Sequence, residues 1–173
     1  MRKETTKPFS GKKVYFSNSI TGVPDIKRNF GWKLVQFMKK NGADVLDDFV
    51  GARNKEEHIK MFLKRTRYDR TKSPNPWYFV RKTDIKLVDE ATHVVAIVNG
   101  PSFGVGMEIQ RAIDKPKMGL PETPILCLVR EDLLKGLSMM VRGVSKEEAP
   151  GFELKTYKDL KEAEKIIFNF LSS

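Results

Sequence analysis

At 173 residues, with 40% apolar and 31% charged side chains, the chain has the make-up of one well-packed globular domain and is short for two. Its 32 Lys and Arg against 22 Asp and Glu leave a net charge of +10, which favours an anionic partner, whether a nucleotide, a nucleic acid or a membrane surface. No run approaches the roughly 18 apolar residues of a membrane span, and the basic start has no apolar stretch after its charges.

Taken in chain order, residues 1–11 read as a basic tail and residues 12–173 as the domain. Residues 13–17 form a strand that ends in the polar turn 18–25, followed by a helical pattern to about Lys40. Phe30, Leu34, Phe37 and Met38 recur there at helical spacing, and Asn41-Gly42 is the stop signal. A short strand over 44–46 precedes an amphipathic, very basic helix over 54–70, in which Lys60, Lys64, Arg65, Arg67 and Arg70 surround Ile59, Phe62 and Leu63. These charges are expected to form a solvated face. Ser73-Pro74-Asn75-Pro76 breaks the pattern, and a helix over 77–90 leads into the apolar strand that begins at His93. This strand breaks into the polar glycine turn Asn99 to Gly106 and a helix whose first turn is expected to carry Glu108. A Pro/Gly-rich loop, an apolar strand over 124–129, a short helix or structured loop over 133–143, a weak strand over 152–155 and a helix over 157–171 complete the chain. Cys127 lies inside the apolar run Ile125-Leu126-Cys127-Leu128-Val129, as a buried, inert thiol of a reducing, cytoplasmic setting.

Alternating strands and helices predict an α/β, single-domain three-layer sandwich with about five parallel strands, flavodoxin-like or Rossmann-like. In such sheets ligands bind at the carboxyl ends of the strands, where both polar turns fall. The chemistry available there is narrow. The two histidines, His58 and His93, leave little for a His-based triad or a metal centre. Gly104-Val105-Gly106 lacks the spacing of a dinucleotide fingerprint, and no triphosphate-loop motif is present. Carboxylates remain, and Glu108 beside a phosphate-sized turn is a candidate nucleophile, although an acid near a helix start is also common for its interaction with the dipole alone. Asp84 reads equally as a solvated acid of an amphipathic helix, Tyr15 as a packed strand aromatic and Ser102 as an N-cap.

Three segments carry a resemblance: Tyr15-Phe16-Ser17-Asn18-Ser19-Ile20, Pro101-Ser102-Phe103-Gly104-Val105-Gly106-Met107-Glu108, and Leu137-Ser138-Met139-Met140-Val141-Arg142-Gly143, together with Asp84 placed 24 residues before Glu108. They resemble the 2′-deoxynucleoside 5′-phosphate N-hydrolases of the nucleoside 2-deoxyribosyltransferase superfamily. The resemblance implies that Glu108 attacks the anomeric carbon, Asp84 assists departure of the base as an acid, and Tyr15 orients Glu108. It implies a substrate cradle of Ser17, Asn18, Ser19, Ile20, Thr21, Gly22, Ser102, Gly104 and Met107. It also implies a homodimer in which Ser138, Met139 and Met140 come from the neighbouring subunit, with no metal or organic cofactor. Where the family carries an Arg in the first turn this chain has Thr21, and where it has a His after the second strand this chain has Phe49. Extra residues are expected between Asn54 and Trp77, a segment that the resemblance covers poorly. Two other functions compete: a 2′-deoxyribosyltransferase that passes the sugar to a second base, and a nucleic-acid-binding module, which the sparse aromatics among the basic residues disfavour.

Overall fold

Runs of β-branched and apolar residues form five strands: β1 (Lys13–Asn18), β2 (Asp44–Val45), β3 (His93–Ile97), β4 (Ile125–Arg130) and β5 (Phe152–Tyr157). They make one sheet, all parallel, in the order β2-β1-β3-β4-β5. The structure, a computed structural model, describes residues 6–18 and 29–173. Six α-helices lie among these residues: α1 (Phe30–Lys40), α2 (Lys55–Thr66), α3 (Pro76–Glu90), α4 (Phe103–Asp114), α5 (Met139–Arg142) and α6 (Leu160–Ser172). Every residue of β3 is buried, as a central parallel strand covered on both faces requires.

On one face α1 and α6 set Leu34, Met38, Ile167 and Leu171 against Val14, Phe16, Val95 and Leu126. On the other, α2, α3 and α4 set Phe62, Val88, Ile109 and Ala112 against Tyr15, Val94, Ala96 and Cys127. The expected three layers are therefore present, and the strand order is of the flavodoxin type. In that order connections leave β1 toward β2 in one direction and continue from β3 in the other, which opens a crevice at the carboxyl ends of β1 and β3.

Local chemistry explains the boundaries. Asn41 and Gly42 end α1, and Gly42 takes φ +104°, where a Cβ would also lie 2.7 Å from the Lys7 side chain. Asp159 caps α6 by accepting the Glu162 N–H at 2.9 Å, so this helix starts at Leu160 rather than Tyr157, and Tyr157 remains in β5. Within the segment expected as a tail, Phe9 is fully buried, with its ring centroid 6.1 Å from Phe37 and 5.5 Å from Phe168. The turn residues Ser19, Ile20, Thr21 and Gly22 lie outside the described residues. No helix among the described residues is long and apolar enough to cross a membrane.

Candidate active site

At the crevice β1 and β3 run side by side, Ser17 opposite Ala96 and Asn18 opposite Ile97. Side chains alternate along a strand, so Tyr15 and Ser17 share the face that looks toward α3 and α4. Both are buried. Beyond β3 the buried Asn99 fixes the bend into α4: its Oδ1 accepts the Arg130 N–H at 2.6 Å and its amide donates to the Tyr157 hydroxyl. Ser102 then caps α4, its hydroxyl oxygen accepting the Val105 N–H at 3.4 Å.

Glu108 meets Ser17 and Tyr15 here. The Ser17 hydroxyl donates to Glu108 Oε2, and the Tyr15 phenol is a second hydrogen-bond partner of the same carboxylate. Tyr15 is pushed well above the ordinary phenol range by burial first and then by the charges of Asp47, Glu108 and Asp84. It therefore keeps its proton and donates it.

One sequence expectation is corrected at this position. Glu108 is the sixth residue of α4, and the first turn of that helix holds no acidic side chain. Gly104 and Gly106, which read as turn residues, lie inside the helix behind the Ser102 cap, so Glu108 falls in the second turn. Helix-terminus charge fades within the first turn. Burial accordingly raises the Glu108 carboxyl above its usual value, and the Ser17 and Tyr15 hydrogen bonds, rather than the dipole, oppose that rise.

Asp84 follows Val80 by four residues and precedes Leu87 and Val88 by three and four, which puts it on the stripe of α3 that faces the core. An acid on such a stripe is desolvated. Burial first, and the Glu108 charge second, push Asp84 up to about 7, with the Arg70 charge opposing them. The helices that carry the two acids are tied together. Arg111 of α4 grips Asp89 of α3 through two bonds of 2.8 Å, and the buried Lys115 ammonium donates to the Ala91 and Val88 carbonyls at 2.8 and 3.3 Å. The resulting pair divides its labour by environment: donors favour charge on Glu108, whereas burial and a like charge favour a proton on Asp84.

Asp47 had no place in the sequence expectations. β2 is two residues long, and where it turns away Asp47 Oδ1 accepts the Phe16 N–H at 2.7 Å in place of a ladder partner. The side chain is fully buried and its Oδ2 has no hydrogen-bond partner among the described residues. Desolvation first, then Glu108 and Asp84, lift it well above the carboxylate range, against the Phe16 N–H that lowers it. The available signal was position: an acid directly after the apolar Val45-Leu46, at the carboxyl end of a parallel strand. A folded-state value raised above the unfolded one means that the fold favours the protonated acid, so stability is greatest at acid pH and falls as pH rises past the ordinary carboxylate range. Asp47→Asn is expected to melt higher than the parent near neutral pH and to lose less stability between weakly acidic and alkaline buffers. Parallel pH dependences of melting for the two proteins would refute this.

The remaining expected residues divide into two groups. Ser102, Gly104 and Met107 stand at the start of α4, where a Cβ on Gly104 would meet only the Ser102 hydroxyl, at 4.0 Å. Asn18 ends β1 with its Oδ1 buried and unpartnered among the described residues. Ser138, Met139 and Met140 form the exposed start of α5, with Ser138 accepting the Met140 N–H at 3.2 Å and the two methionines 87% and 81% exposed. Phe49 is buried against His58 and Phe62, with ring centroids 5.6 and 5.1 Å away. Neither histidine joins the acids. His58 is held neutral at about 4 by burial and Arg70, and His93 at about 4 by burial and Lys12 at the opposite, amino end of β3. No group of three or more His, Cys, Asp or Glu able to hold a metal occurs among the described residues.

No family profile matches the chain. It is, however, 30% identical over 162 residues, covering 94% of this chain and 95% of the relative, to a protein of Nematostella vectensis described as 2′-deoxynucleoside 5′-phosphate N-hydrolase 1. The chain belongs to the 2′-deoxynucleoside 5′-phosphate N-hydrolase family. Within this N-hydrolase family, a 5-hydroxymethyl-dUMP N-hydrolase of Tetraodon nigroviridis is 30% identical over 164 residues, 93% of this chain and 98% of that one. A further N-hydrolase relative, from Thermofilum pendens, is 37% identical over 84 residues, about half of each chain. Among solved structures, the CMP N-glycosidase of Clostridium botulinum shares the N-hydrolase fold at a TM-score of 0.60 and 18% identity, covering 92% of this chain and 99% of that one.

Proposed function

We propose that this protein hydrolyses the N-glycosidic bond of 2′-deoxynucleoside 5′-monophosphates, releasing free base and 2-deoxyribose 5-phosphate. The observation that carries this is the acid pair: two carboxylates on clamped helices at the switch point of the sheet, one supplied with hydrogen-bond donors and the other pushed up to about 7. Membership of the N-hydrolase family along nearly the whole chain supports the same chemistry.

In this reading a Glu108 oxygen attacks C1′ as the C1′–N bond breaks, and the Asp84 proton passes to the base. The Asp84 carboxylate then takes a proton from water, which attacks C1′ and returns Glu108 to its ionised state. Tyr15 and Ser17 hold the attacking carboxylate in line. A 2′-hydroxyl withdraws electrons from the oxocarbenium-like centre, which favours deoxy substrates. The 5′-phosphate is assigned to Ser102 and the Phe103 and Gly104 amides of α4, which have no acceptors within the helix, together with the turn after β1.

A homodimer accompanies the reading. Phe103 is 96% exposed, and Met107, Met139 and Met140 are exposed as well, so large apolar side chains adjoin Ser102 and Ser138 in the chain, a composition suited to burial against a second copy.

Incubating the protein with a panel of deoxy- and ribonucleoside monophosphates and the matching nucleosides, with chromatography for free base, tests the reading. Base and 2-deoxyribose 5-phosphate are expected from deoxynucleotides, with no new nucleotide when a foreign base is added. Failure to release base from any monophosphate would overturn it, and efficient exchange with the foreign base would replace hydrolysis by transfer.

A further inference from the structure

Helix α2 and its connection to α3 carry cations that the two acids do not explain. Lys60, Lys64, Arg65 and Arg67 are exposed, as a solvated face requires, and Arg65 pairs with Asp44 at 3.3 Å. Arg70 departs from that expectation. It is half-buried, and its guanidinium carbon lies 5.4 Å from the centroid of the Phe62 ring. Phe62 is 1% exposed and meets Phe49 and Phe79 edge-on, while Phe79 stacks on Tyr68 with centroids 3.8 Å apart. The guanidinium thus rests on an aromatic floor that is itself fixed.

No carboxylate pairs with Arg70 among the described residues, yet its charge acts on Asp84. The other titratable groups that act on or are felt by Asp84 are Glu108 from α4, Asp47 from the end of β2 and the Tyr15 phenol from β1. Arg70 is the one cation among them. Phe79, which Phe62 meets edge-on, belongs to α3, the helix that also carries Asp84, so this floor sets the guanidinium toward the leaving-group end of the site, since the acid that protonates a departing base has to lie beside that base. As the C1′–N bond lengthens, the ring nitrogens and carbonyl oxygens of the base gain negative charge, and a guanidinium whose five donors are not spent on a carboxylate suits them.

We propose that Arg70 is a base-contacting residue of the site: its guanidinium, propped on Phe62 on the α3 side of the site, donates to an acceptor atom of the departing base and offsets the charge that builds there. The proposal rests on the N-hydrolase reading above, and it gives the basic segment between Asn54 and Trp77 a task at the leaving-group end.

Two substrates and two variants test it. The substrates are a natural deoxynucleoside monophosphate and the 5-phosphate of 4-nitrophenyl 2-deoxyriboside, whose leaving group departs without protonation. Arg70→Met is expected to lower kcat/KM for the nucleotide by roughly 10- to 100-fold, the range for a lost hydrogen bond to a charged group, and to lower it less for the nitrophenyl substrate, whose leaving group feels the lost charge but offers no ring acceptor to the fork. Because Arg70 opposes the rise of Asp84, its loss should also move the alkaline limb of the nucleotide pH profile upward from about 7. Arg70→Lys keeps the charge and loses the planar fork, so the limb should stay in place while only part of the rate returns. Equal losses on both substrates, or an unmoved limb in Arg70→Met, would overturn the assignment. A parent protein that releases neither leaving group would instead defeat the N-hydrolase reading.

Discussion

Glu108→Gln is expected to abolish base release while leaving the fold intact. The loss in kcat/KM should be on the order of 10⁴-fold or more, about 5.5 kcal/mol of transition-state stabilisation, because the substitution removes the attacking oxygen and also the negative charge opposite a forming oxocarbenium-like centre. The amide keeps the shape and the carbonyl oxygen that the Ser17 hydroxyl needs. Burial raises the Glu108 carboxyl above its ordinary value, so the charged form costs the fold stability near neutral pH and the neutral amide does not. The melting temperature of the variant should therefore equal or exceed that of the parent. Free base measured by chromatography, with melting followed on the same samples, checks both parts. Parent-like release would remove Glu108 from the chemistry.

Much of the architecture behind this expectation was legible in the sequence because it is written in local patterns. Apolar runs mark β3 and β4, helical spacing marks α1 and α6, and alternation of the two element types marks a parallel sheet. The carboxyl-end rule then points to the crevice where β1 and β3 end. What escaped is settled by tertiary context. The position of Glu108 within α4 depends on where the helix starts, and two glycines near a Ser cap are compatible with a turn as well as with a first turn of helix. Asp47 is invisible to periodicity because it replaces a missing strand partner of Phe16, a need that exists only once β2 stops at Val45. Arg70 sits among four exposed cations of the same stretch and differs from them only in the ring beneath it. Asp84 marks the boundary between these cases. Its spacing from Glu108 matched the family pattern, but from its own helix it read as a solvated acid, because the desolvation that raises it comes only with the packed site.

That desolvation sets the second large effect. Asp84→Asn is expected to reduce kcat/KM for natural nucleotides by about 10²- to 10⁴-fold, the usual span for a lost general acid, and by much less for a leaving group that departs unprotonated. The pH profile should change with it. An acid pushed up to about 7 is active while protonated, so parent activity declines as pH rises through that value, and the residual activity of the variant should lack the decline. Stability follows the same linkage with its own sign. The folded value lies above the ordinary 3.8, so the fold favours the neutral acid, and stability is lost as pH climbs from the ordinary value through about 7. Asn carries no such charge, and melting of the variant should therefore fall less steeply over that interval. A variant that loses activity but keeps the alkaline decline would place the titrating proton on another group, of which the buried Asp47 carboxyl, raised by the same neighbours, is the nearest in character.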